Sequence, residues 1–183
     1  MKMSYVKKTI FTAACIALSV VLPMTFHAIP NAGSVLSPMH IPVLLCGLVC
    51  GSSFGLLCGL AGPLLSGLIT GMPVFAYLPG MMIELAIYGL VCGLMMQLIH
   101  TGRIYADLYI SLIISLLAGR IIAGIANALI FASGQYSIAM WTTSYFVTAW
   151  PGLLLHLALV PSIVLALERA GFIPARYPDA STL

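Results

Sequence analysis

Glu84 and Arg120 each stand alone inside a long apolar run, and that position makes them the first candidates for chemistry. A charge at the centre of a bilayer costs about 2.5–3.5 kcal/mol on an insertion scale, so residues that keep one there usually face the protein interior and act on something. Helical spacing gives each of them polar company. Tyr88 follows Glu84 by one turn, and Asn127 lies two turns beyond Arg120 on the same face, with Gly124 between them. His156 falls near the middle of a later run, with Gly152 and Tyr145 approximately on its face. His40 opens an earlier run, within Ser37-Pro38-Met39-His40-Ile41-Pro42. A carboxylate, a guanidinium, imidazoles, an amide and phenols at similar depth can hold a polar small molecule by hydrogen bonds and stacking. Two readings stay open. Glu84 and Arg120 neutralise each other and lock two helices, or they bind a ligand together with His40, Tyr88, Asn127, Tyr145 and His156. One locking pair does not require so many polar groups, which favours a ligand site for the set as a whole.

Other chemistries are missing their residues. The five cysteines, Cys15, Cys46, Cys50, Cys58 and Cys92, fall within apolar runs without a metal-ligand pattern, and they suggest neither a metal site nor a disulfide framework. Cys46 and Cys50, one helical turn apart, read as small packing residues. There is no G-x-x-x-x-G-K-[ST] loop for nucleotide hydrolysis and no H-E-x-x-H helix for zinc. Gly51-Ser52-Ser53-Phe54-Gly55 is only loosely like a serine nucleophile and has no histidine near it in the topology. Glu84 is the single carboxylate inside the apolar runs, so paired-carboxylate catalysis is not available. No cofactor is expected in this chain.

The elements that must position these residues follow from composition. Hydrophobic residues make up 62% of the 183 positions and charged residues 6%. A soluble domain carries about 25% charged residues. The chain therefore reads as a single all-α domain over 1–183, embedded in membrane lipid as a multi-pass protein. Its continuous apolar runs exclude the alternating strands of a membrane barrel. Six spans are expected, at about 9–28, 40–56, 57–72, 80–99, 108–132 and 142–167. Lys7 and Lys8 before the first run suggest a signal peptide, but the run is long and no small-x-small cleavage site follows, so an uncleaved first helix is expected. Of the seven basic residues, Lys2, Lys7, Lys8, Arg103, Arg169 and Arg176 fall on one side of this topology. The positive-inside rule then puts both termini in the cytoplasm. The net charge of +3 is spread along that face and needs no nucleic acid to explain it. Tyr77 and Trp141, in the opposite loops, read as interfacial anchors.

Small residues recur at helical spacing. Gly47, Gly51, Gly55 and Gly59 follow one another every four positions, and Gly67 with Gly71 and Gly89 with Gly93 repeat the interval. Such rows let helices approach closely and pack by van der Waals contact. Ala13 and Ala17 share the spacing on the first helix and can face either the bundle or another membrane subunit.

The stretches SPMHIPVLLCGLVCG and GLLCGLAGPLLSGLITGMP, with the later GMMIELAIYGLVCGLM and SLLAGRIIAGIAN, resemble the substrate-binding S components of energy-coupling factor (ECF) vitamin transporters. The likeness covers about residues 9–167. It implies a six-helix bundle with both termini cytoplasmic, capturing a micronutrient near the outer surface. It also implies docking on a transmembrane coupling subunit that carries two cytoplasmic ATPases, whose ATP supplies the energy. In such proteins small residues on the first helix form the docking face, a pattern that Ala13 and Ala17 match, with neighbouring Ala14 blurring the register. The motif is most similar to branches for pyridoxine or hydroxymethylpyrimidine-type precursors, or for pantothenate. An unpaired Arg120 suits an anion such as pantothenate, whereas an Arg120 neutralised by Glu84 suits a neutral heterocycle. The expectation is thus a substrate-binding subunit of an ATP-driven importer. The alternatives are an intramembrane enzyme acting on a lipid or peptide, and a stand-alone secondary carrier, against which the lack of an evident inverted repeat argues.

Overall fold

The computed structural model describes residues 3–25, 32–131 and 137–177, and the expectations for 26–28 and for both chain ends lie outside them. Every regular element among the described residues is helical. The long elements are α1 (Tyr5–Thr25), α4 (Ser52–Thr70), α5 (Leu78–Leu98), α6 (Ile104–Ala126) and α8 (Trp150–Arg169). Shorter ones are α2 (Ala32–Leu36), α3 (His40–Cys50) and α7 (Ile138–Thr142). Two wide π-type turns, Asn127–Phe131 and Thr143–Thr148, extend α6 and α7.

Among the described residues five helices are long and apolar enough to cross a membrane, and α3 is a shorter apolar one. With 11 residues, α3 is about 16 Å long, well short of a bilayer core of about 30 Å. The expected second and third spans divide at Gly51, earlier than the 56/57 boundary. Gly51 adopts φ 97°, a left-handed region that a side chain would strain, and its backbone ends one helix and begins the next. Gly71, at φ 73°, closes α4 in the same way. Pro42 is tolerated because it falls in the first turn of α3, where no intrahelical acceptor is available to its position.

α3 is the centre of the bundle. His40 and every residue from Pro42 to Cys50 are buried, as α1, α4, α5 and α8 surround it. The glycine rows act within the chain. A Cβ on Gly47 would lie 2.6 Å from the Gly89 carbonyl oxygen, and Cβ atoms on Gly55, Gly59, Gly89 and Gly93 would run into the backbone of the facing helix. These positions therefore bring α3 and α4 to backbone contact with α5, where dispersion replaces the hydrophobic effect as the attraction. On α1, Thr12, Cys15 and Ser19 face the bundle, while Ala13 and Ala17 are exposed on the opposite side.

The helices alternate in direction, so the chain has two polar ends. The start of α1 meets the end of α3, where the Cys50 thiol donates to the Lys8 carbonyl at 3.7 Å. Arg103 and Arg176 gather at this basic end, beside Asp107. His40 and the first turns of α5 lie at the other.

Candidate functional site

The seven residues singled out from the sequence converge on the end opposite the basic one. α3 contributes His40 from its first residue, α5 contributes Glu84 and Tyr88 from consecutive turns, and α6 contributes Arg120. Asn127 and Tyr145 stand in the two π-type turns, and His156 is on α8. π-type turns admit one extra residue per turn and often occur where side chains must be re-aimed at a site.

A relay of contacts runs through the cluster. Tyr88 donates its hydroxyl hydrogen to Glu84 Oε1 at 2.6 Å and accepts from Arg120 Nε at 3.2 Å. His40 Nε2 faces the same carboxylate oxygen at 3.7 Å. One terminal nitrogen of Arg120 donates to the Tyr145 carbonyl, and the guanidinium lies over the Phe146 ring at 5.6 Å. Asn127 Nδ2 donates to the Tyr145 hydroxyl at 3.3 Å. Glycines make room for this: a Cβ on Gly80 would lie 2.8 Å from Asn127 Oδ1, and one on Gly119 would overlap the Tyr88 ring. Glu84 and Arg120 do not form a direct ion pair. The Tyr88 hydroxyl sits between them and bridges the two charges by hydrogen bonds.

The histidines complete the site. His156 Nε2 contacts the Ser37 carbonyl at 3.2 Å. A carbonyl only accepts, so Nε2 carries the proton and Nδ1 of the neutral ring is an acceptor. The His40 and His156 rings are nearly parallel, 10° apart in orientation, with centroids at 5.4 Å. Both Nδ1 atoms are buried with no hydrogen-bond partner among the described residues. Such an atom costs about 1–3 kcal/mol when left unpaired, so two together call for a polar partner beyond the described residues.

Sequence reasoning missed part of this site. Trp141, read as an interfacial anchor, donates its indole N–H to the Arg120 carbonyl at 3.1 Å and meets the Phe146 ring edge-on at 5.2 Å. Gly124, directly against the Trp141 ring, was its only trace in the spacing. Phe146 and the Ser37 carbonyl had no signal at all.

A second polar cluster, at the basic end, was also missed. Asp107 Oδ1 accepts from the Thr101 backbone N–H at 2.9 Å and its hydroxyl at 2.7 Å. Oδ2 accepts from Arg176 Nε and the Tyr177 hydroxyl, each at 2.6 Å. Arg176 also donates to the Ile99 carbonyl, and its backbone N–H donates to Glu168 Oε1 at 3.3 Å. These bonds tie the chain beyond α8 to the loop between α5 and α6. The five cysteines are buried and free.

A family model described as "ECF transporter, substrate-specific component" matches residues 7–173. Among curated proteins nothing matches the chain. The family's members are substrate-binding transporter subunits and not enzymes, which removes the intramembrane-enzyme alternative. With a family match over nearly its whole length and five membrane-long apolar helices, the chain belongs to the substrate-specific components of ECF transporters, as a multi-pass protein of the cell membrane.

Proposed function

We propose that this transporter subunit captures a small, neutral, heteroaromatic vitamin or vitamin precursor of the pyridoxine or hydroxymethylpyrimidine kind. The cluster of His40, Glu84, Tyr88, Arg120, Asn127, Tyr145 and His156 is its binding site. The observation that carries this reading is the pair of buried, unpartnered imidazole nitrogens. The His156 nitrogen, an acceptor, suits a ligand with an N–H or O–H donor, and the His40 nitrogen suits a further polar contact. Arg120 supports neutrality, because Tyr88 links it to the Glu84 carboxylate and Tyr145 takes another of its donors. An anion such as pantothenate would have to displace one of those bonds.

The site faces the cell exterior in this proposal, since the basic residues Lys7, Lys8, Arg103, Arg169 and Arg176 belong to the opposite end. The family implies the usual module partners, a coupling subunit and ATPases. Two ATPases then supply the ATP-driven step, and the coupling subunit docks on the exposed Ala13–Ala17 face of α1.

Purified protein should melt higher with one neutral heterocycle from a vitamin panel. A ligand at a hundred times its Kd stabilises by about 2.7 kcal/mol. Tight binding of pantothenate that depends on Arg120 would overturn the neutral-ligand reading. Absence of binding across the panel would overturn the vitamin reading as a whole. Vesicles holding this chain alone should take up no vitamin on an ion gradient, whereas addition of the partners and ATP should start uptake.

A further inference from the structure

At the basic end a surface cavity of about 540 Å³ opens beside the Asp107 cluster, and nothing in the vitamin site involves it. Its walls are Gly102, Arg103, the first turn of α6 from Ile104 to Ala106, Glu168 and Tyr177. Two opposite charges on these walls are unspent. Glu168 uses Oε1 for the Arg176 N–H, but Oε2 is buried with no partner among the described residues. Arg103 is exposed and forms no ion pair among the described residues. It is also the N-cap of α6, without a side-chain capping bond, so the first-turn N–H groups lack acceptors within the helix.

We infer that this cavity binds the headgroup of a phosphatidylethanolamine-type lipid. Its primary ammonium pairs with the Glu168 carboxylate, drawing Oε2 out of the position where it is buried without a partner, and its phosphate is held by Arg103 with the N–H groups at the start of α6. A simple anion would meet the Glu168 carboxylate, and a simple cation would meet Arg103. A zwitterion satisfies both at once. An ammonium with N–H donors answers an unpartnered carboxylate oxygen, whereas a quaternary ammonium offers none. Location favours a lipid over a soluble zwitterion. The cavity is where α6 leaves the apolar layer, and exposed Tyr105 on its wall and Tyr109 one turn on give acyl chains a surface to lie on. The volume lies within the usual range for small-molecule sites, about 300–1,000 Å³.

Native mass spectrometry of the delipidated full-length protein tests this with dioleoyl lipids. Phosphatidylethanolamine should bind roughly tenfold tighter than phosphatidylcholine, the worth of one good charged hydrogen bond. Affinity should fall stepwise along the N-methyl, N,N-dimethyl and trimethyl headgroup series, a measurement that needs no variant. Glu168→Gln keeps a carbonyl oxygen for the Arg176 N–H and should erase the ethanolamine preference, while Arg103→Gln should weaken both lipids. Equal binding of the whole methylation series overturns the proposal. So does complete displacement by free phosphoethanolamine at equal concentration, which would assign the site to a soluble molecule. If Glu168→Gln leaves the lipid profile intact but releases the coupling subunit on co-purification, the cavity takes a basic side chain of that partner and the lipid assignment fails.

Discussion

The chain buries charge at both ends of its bundle, and the two clusters are satisfied differently. At the basic end every acceptor of Asp107 is used: Thr101 supplies two donors to one oxygen, and Arg176 and Tyr177 supply one each to the other. Nothing remains for a ligand to offer the Asp107 carboxylate. At the opposite end the relay from His40 through Glu84 and Tyr88 to Arg120 balances charge but leaves two buried imidazole nitrogens without partners among the described residues. A saturated network holds two segments together, whereas an unsaturated one is stabilised by whatever completes it. The difference separates a clamp from the proposed binding site more clearly than burial does, since both clusters are buried.

Four substitutions can break or sharpen that contrast. The largest effect should come from Asp107→Ala, which orphans the Arg176 guanidinium. Removing one partner of a buried, hydrogen-bonded pair costs about 3–5 kcal/mol. Melting and expression should fall, and the folded fraction should bind vitamin with unchanged Kd. A loss of affinity without a loss of stability would put Asp107 in the wrong class.

Glu84→Gln should do the reverse. It removes the negative charge that balances Arg120 and faces His40, so affinity for a neutral ligand should fall by about a hundredfold, equal to about 2.7 kcal/mol. Isothermal titration reads this directly. If the variant binds normally but no longer accumulates in the membrane, the cluster is a lock like the one around Asp107.

Gly89→Ala tests packing apart from either cluster. Its Cβ would run into the Gly55 backbone, and overpacking of this kind costs about 1–3 kcal/mol. Thermal melting should drop, with no change in ligand preference.

The smallest shift in stability is expected from His156→Phe, which removes the unpartnered nitrogen together with the bond to Ser37. Apo-protein melting should stay within about 1 kcal/mol of the original, since losing an unsatisfied acceptor offsets losing a hydrogen bond. Ligand affinity should still drop roughly tenfold. Equal losses in both measurements would make His156 structural.

How much of this was legible in the sequence depends on the range of the interaction. α5 matches its expected span because about twenty apolar residues in a row can hardly do otherwise. Glu84, Tyr88, Arg120 and Asn127 stood out as polar residues in apolar runs, with helical spacing to order them. α3 was overextended because it is buried on every face and carries no periodicity to mark its end; only the backbone at Gly51 does so. The expected last span, 142–167, ran across a π-type turn and the start of α8 at Trp150, because a wide turn keeps an apolar composition. Arg176 was counted only as a basic charge for topology, and its partner is Asp107. They lie 69 residues apart, and no local pattern joins them.

The amino-acid sequence by itself determined the compartment, the helical class and which polar residues must be turned inward, because hydrocarbon penalises charge wherever it occurs along the chain. Only the tertiary structure decided which groups meet. Tyr88 stands between Glu84 and Arg120, Trp141 turns from the interface to the Arg120 carbonyl, and Glu168 keeps one oxygen unpaired beside Arg103. These are matters of a few ångströms between helices distant in sequence, and hydrogen bonds are decided at that scale.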